Sequence, residues 1–167
     1  MELVGLGQAV FLILKSVLQI PVARFIDRVK GEMDDLIVMA TGTIIISLVP
    51  FLYLGASDAP QVLLIQALYG FGSALVTPGW LAIFTRHVDR DLEAEEWSIY
   101  NSMVGLGAAA TGALGGFMAE KFGIRPLFLI VGVITIIGVS FLFFVYQDLR
   151  MEEKKLARLK AARASSA

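Results

Sequence analysis

Four long stretches of this chain contain no charge at all. Leu36–Ser57, Ala59–Thr85, Trp97–Ala119 and Pro126–Gln147 carry no Asp, Glu, Lys or Arg, and each is 22 to 27 residues long. A helix needs about 20 predominantly apolar residues to cross the hydrocarbon core of a bilayer. A fifth stretch, Leu3–Ala23, is broken only by Lys15. The runs are too long for membrane strands and do not alternate strictly. The expectation is an all-α membrane protein with five transmembrane helices over 3–24, 36–57, 60–86, 96–119 and 126–147. These form one bundle over 1–147, followed by a basic tail over 148–167. The first run has no basic residue before it and is longer than the apolar segment of a usual signal peptide, so it reads as a span.

Charge then sets the orientation. One side of the predicted membrane receives eleven Lys and Arg, from the 24–35 loop, the 86–96 loop and the tail; the other receives two, Lys121 and Arg125. Basic residues accumulate on the cytoplasmic side. The loop and the C-terminus are therefore expected in the cytoplasm, the N-terminus outside, and the chain in the cytoplasmic membrane.

Several functions are excluded. There is no cysteine, so no disulfide or thiol chemistry. His87 is the only histidine, which leaves no usual metal site and no hydrolase triad, and its loop position reads as solvated or capping. No phosphate-binding glycine loop with Lys is present. The basic residues are few and already explained by the membrane, so no nucleic-acid partner is expected. The chain reads as neither an enzyme nor a cofactor protein.

The order of residues adds a resemblance. Ala23-x-Phe25-x-Asp27-Arg28 follows Pro21 at the end of a predicted helix. It is similar to the loop motif G-x-L-x-D-R-x-G-R-R of the major facilitator superfamily of secondary transporters, with Ala23 for Gly, Phe25 for Leu, and Val29-Lys30-Gly31-Glu32 in place of the basic ending. Gly105–Gly116, "GLGAAATGALGG", resembles the family's glycine-rich fifth-helix motif, with Ala113 in place of Pro. Gly115–Phe128 is similar to the connection that precedes the last helix of a half. Gln66–Ala74 resembles a fourth-helix pattern, with Gln66 where Arg would stand. The motifs arrive in family order over nearly the whole chain.

The resemblance implies part of a six-helix half, its second to sixth helices. The altered loop motif, Gln66 and the basic tail favour the C-terminal half, here without its first helix. It implies a small solute moved by alternating access, with a complementary half-transporter chain or a homo-oligomer supplying the rest of the pathway. The competing reading is a non-transporting multi-span interaction or assembly subunit.

Within the spans, Gln8, Lys15 and Gln19 share one helical face, and Lys15 is costly at mid-span. Gln66, Tyr69, Gly70, Ser73, Thr77 and Trp80 form a second stripe. With Asn101 on the fourth helix, Lys15, Gln8, Gln19, Gln66, Tyr69, Ser73 and Thr77 are the substrate-pathway candidates. Interhelical hydrogen bonding by the same groups, and snorkelling by Lys15, are the structural alternatives. Pro78 predicts a bend, or tilt, in a 27-residue run. Gly105, Gly112, Gly115 and Gly116 suit close helix packing. By the resemblance, Asp27 and Arg28 belong to a conformational lock, with Asp27 expected against Arg86, Arg90 or the amides of residues 94–97. Glu32, Asp34 and Asp35 are read as acids suited to a helix start.

Overall fold

Small residues decide which helices of this chain touch. The computed structural model describes residues 2–29 and 31–165, without the side chains of 152–154 and 156–165. Lys30 and the side chains of Lys154, Arg158, Lys160 and Arg163, counted above, lie outside the described residues. The helices are α1 Glu2–Arg28, α2 Glu32–Gly55, α3 Ala59–His87, α4 Glu93–Phe122 and α5 Ile124–Ser165. All five contain a segment long and apolar enough to cross a membrane. There is no strand among the described residues. Helix α5 continues to Ser165, well beyond the apolar run. Helix α3 stays unbroken through Pro78.

Helix α3 is the hub, with α1 on one side and α2 on another. Its glycines face both. A Cβ on Gly70 would lie 2.7 Å from the Phe11 carbonyl oxygen of α1, and one on Gly79 would lie 2.8 Å from the Asp35 carbonyl oxygen of α2. Gly72 meets Gly42: a Cβ on Gly42 would lie 2.5 Å from the Gly72 carbonyl oxygen. Close backbone approach replaces hydrophobic burial as the source of helix attraction in lipid, because lipid tails are as apolar as leucine. Asp35, Gly42 and Val49 recur at intervals of seven on α2 and are all buried. Gly72, Gly79 and Arg86 recur at the same interval on α3, so the two antiparallel helices meet along matched stripes.

Helix α5 packs on α2, where Gly132 receives the Phe51 ring and Phe128 stacks on Tyr53 at 5.0 Å. Helix α4 buries none of its residues. It joins α5 through the single residue Gly123, whose φ of 84° and ψ of 170° are open essentially only to glycine. Its other anchor is aromatic: Trp97 and Tyr100 pack on Trp80 and Phe84 of α3, with ring centroids 4.5 to 6.1 Å apart.

Here the glycine reading needs correction. Among the described residues, an added Cβ at Gly105, Gly112, Gly115 or Gly116 meets nothing within 4 Å. The stripe makes no close contact among the described residues, because there α4 is held only at its two ends. The α1–α3 and α2–α3 crossings carry the close packing instead, on Gly70 and Gly72 of the fourth-helix pattern and on Gly42 and Gly79, which no motif marks.

Candidate functional site: a buried ion pair and two polar clefts

The short connections at 29–31 and 88–92 lie at one end of the bundle, called here the charged end. Asp35 sits there in the first turn of α2, whose N-terminal dipole favours an acid. Because Gly79 lets that turn drop onto α3, Asp35 is fully buried, with 0% of its surface exposed. Arg86, seven residues beyond Gly79, donates from Nη1 to Asp35 Oδ2. The Arg86 side chain remains 41% exposed, so its outer edge is wet while the carboxylate is not. Asp35 Oδ1 is buried with no partner among the described residues. A buried carboxylate without its counter-charge is strongly unfavourable, so this contact decides whether α2 and α3 close at that end.

The expected role of Asp27 changes accordingly. Asp27 and Arg86 line one cleft of about 390 Å³ together with Ile26, Gly31 and Glu32. Among the described residues, however, Asp27 has no ion pair, and the guanidinium goes to Asp35. Asp35 wins because it projects from the helix face that packs on α3, while Asp27 is exposed at the end of α1. Arg28 and Arg90 are exposed and unpaired among the described residues.

The pathway candidates separate into two clefts. Gln19 and Thr77 line a groove of about 340 Å³ between α1 and α3, which continues to Asp27 at the charged end. The Thr77 hydroxyl donates to the Ser73 carbonyl at 2.9 Å, and so is satisfied within its helix. Gln66 and Tyr69 line a cavity of about 290 Å³ between α2, α3 and α5, shared with Tyr53 and Thr135. Gly7 of α1 covers the Gln66 side chain, and Gln66 Oε1 is buried without a partner among the described residues. Tyr69 is fixed by stacking on Phe11 at 4.6 Å. Ser73 is buried between the two clefts in sequence, and Lys15 is half-buried on α1 with no acidic partner among the described residues. Gln8 and Asn101 are exposed and join neither cleft.

No group of three or more metal-ligating side chains occurs among the described residues. The two clefts and the charged end offer hydrogen bonding and ion pairing. A model of the Major Facilitator Superfamily matches residues 1–166. The chain belongs to the major facilitator superfamily. No curated protein matches it. The members of this superfamily are transporters rather than enzymes, and with five apolar helices the chain is a multi-pass integral membrane protein.

Tyr53 and Thr135 escaped sequence reading, and Asp35 was read only as an acid suited to a helix start, not as the partner of Arg86. For Asp35 a signal existed. It immediately precedes one charge-free run and Arg86 immediately follows the next, so antiparallel packing puts them at one level. Tyr53 and Thr135 had no comparable signal, being single polar groups in apolar helices.

Proposed function

We propose that this chain forms part of a secondary transporter that moves a small solute by alternating access. Its spans take the places of the second to sixth helices of a half, and Gln66 in the place of the motif arginine favours the C-terminal half. The observation that carries the reading is the Gln66 carbonyl. The Gln66 side-chain amide lies beside the Tyr53 hydroxyl, with Oε1 buried and unpartnered among the described residues, in a cavity that also presents Tyr69 and Thr135. Such a group in a membrane interior is costly unless a donor visits it. The cleft at Gln19 and Thr77 supplies polar surface toward the charged end, and Asp35–Arg86 acts as the closure of that end. Transporters of this class bind near the midplane, between halves that rock against each other. The bare glycine face of α4 then belongs against a complementary half or a second copy.

The absence of cysteine makes the test direct. In membranes, Gln66→Cys and Tyr69→Cys should react with an impermeant maleimide, and Gln19→Cys should react from the opposite side. Leu64→Cys, on an exposed apolar position of α3, should stay unlabelled in lipid. Equal labelling of Leu64→Cys, or silence at both clefts, would refute the pathway. The surplus of basic residues assigns the charged end to the cytoplasm. Reporter fusions at Ala59 and Ala167 are expected to signal from opposite faces, with Ala167 cytoplasmic.

A further inference from the structure

A separate cavity of about 530 Å³ lies at the charged end between α2, α3 and α5. That size falls within the usual range for a small-molecule site, roughly 300–1,000 Å³. Its walls are apolar, with Leu36, Ile83, Leu142 and Val145 among them. Its polar lining consists of Glu32 and His87. Two aromatic rings, Trp80 and Phe84, complete it, stacked at 4.8 Å and backed by Trp97 and Tyr100.

The polar pair has an informative geometry. His87 Nδ1 lies 2.9 Å from the Ile83 carbonyl oxygen. A carbonyl only accepts, so Nδ1 carries the proton and donates. In the neutral ring, Nε2 is then an acceptor. It faces the Glu32 carboxylate at 3.9 Å. With the ring neutral, two acceptors face each other, and among the described residues no donor lies between them. An N–H-bearing cation placed there would satisfy both, and the neighbouring ring faces attract the same charge. Arg86 shares a cleft with Glu32 but is engaged by Asp35, so among the described residues no guanidinium or ammonium neutralises Glu32.

We propose that this cavity binds an amphipathic organic ammonium, its N–H between Glu32 and His87 and its apolar body between the Trp80–Phe84 rings and the aliphatic walls. The ammonium comes either from a free lipophilic amine or from an ethanolamine lipid headgroup.

Trp80 and Trp97 are the only tryptophans, and both belong to the aromatic cluster, so intrinsic emission reports on this place. The full chain in phosphatidylcholine nanodiscs would be titrated at neutral pH with n-hexylamine, and with n-hexanol as the uncharged match. The expected result is a saturable emission change with hexylamine at concentrations at least tenfold below any response to hexanol. Glu32→Gln should weaken hexylamine tenfold or more, Glu32→Asp should retain most of the binding, and His87→Leu should weaken it several-fold. Because His87 is exposed, that last variant keeps the test decisive should Glu32→Gln fail to fold. Adding phosphatidylethanolamine to the nanodiscs separates the sources: competition supports the lipid headgroup, and unchanged affinity supports the free amine. Equal responses to hexylamine and hexanol would overturn the proposal. So would unchanged binding in a helical Glu32→Gln or His87→Leu protein.

Discussion

Arg86→Leu should be the most destabilising single charge removal in the chain. It leaves Asp35 fully buried with neither carboxylate oxygen partnered. Breaking a buried pair from one side costs about 3–5 kcal/mol, because the remaining charge is stranded. The lower part of that range is expected, since Arg86 itself is partly in water. Removing both charges should be far milder. Asp35→Leu/Arg86→Leu replaces the pair by apolar groups, which is often close to neutral. Unfolding in mixed micelles titrated with dodecyl sulfate would measure all three proteins. A double variant as unstable as Arg86→Leu would show that the stranded carboxylate is not the cause.

Gly42→Leu should separate α2 from α3 outright. The first added carbon would meet the Gly72 carbonyl oxygen at 2.5 Å, Leu75 Cβ at 2.8 Å and Val76 Cγ2 at 2.9 Å. The nearest of these is backbone and cannot swing aside. Overpacking a tight contact commonly costs about 1–3 kcal/mol, and a leucine against backbone belongs at or above the top of that range. Gly42→Ala should fall between parent and Gly42→Leu in the same titration. Gly55→Leu, where an added Cβ meets nothing within 4 Å, is the control and should be nearly silent. Comparable losses at Gly42 and Gly55 would show that the crossing does not depend on backbone proximity.

The number and kind of helices were legible because membrane insertion is governed by length and apolarity, both of which are linear properties of the chain. The family was legible because short glycine and loop motifs survive in order. Contacts were harder. Gly105–Gly116 looked like the packing surface by its motif, yet Gly42, Gly70, Gly72 and Gly79 make the crossings, since packing depends on which helix is adjacent. Asp27 carried the motif and Asp35 carries the ion pair, because helical phase rather than motif position points a carboxylate at α3. Gln66 was visible as a polar residue in a span. Its unpartnered carbonyl was not, as that depends on Gly7, Tyr53 and α5 arriving around it.

The single glycine between α4 and α5 also bears on how the chain is made. Helix α4 is the least apolar of the five spans and α5 the most. Emerging alone from a ribosome, α4 has a weak claim on the bilayer, for its glycines and alanines offer little surface to lipid. The one-residue connection at Gly123 leaves no slack between the two, so the strongly apolar segment commits its predecessor as soon as it is synthesised. The pair is then expected to enter lipid as one antiparallel hairpin. Helix α4 crosses the membrane on the strength of its neighbour, which leaves its own sequence free to stay smooth and small.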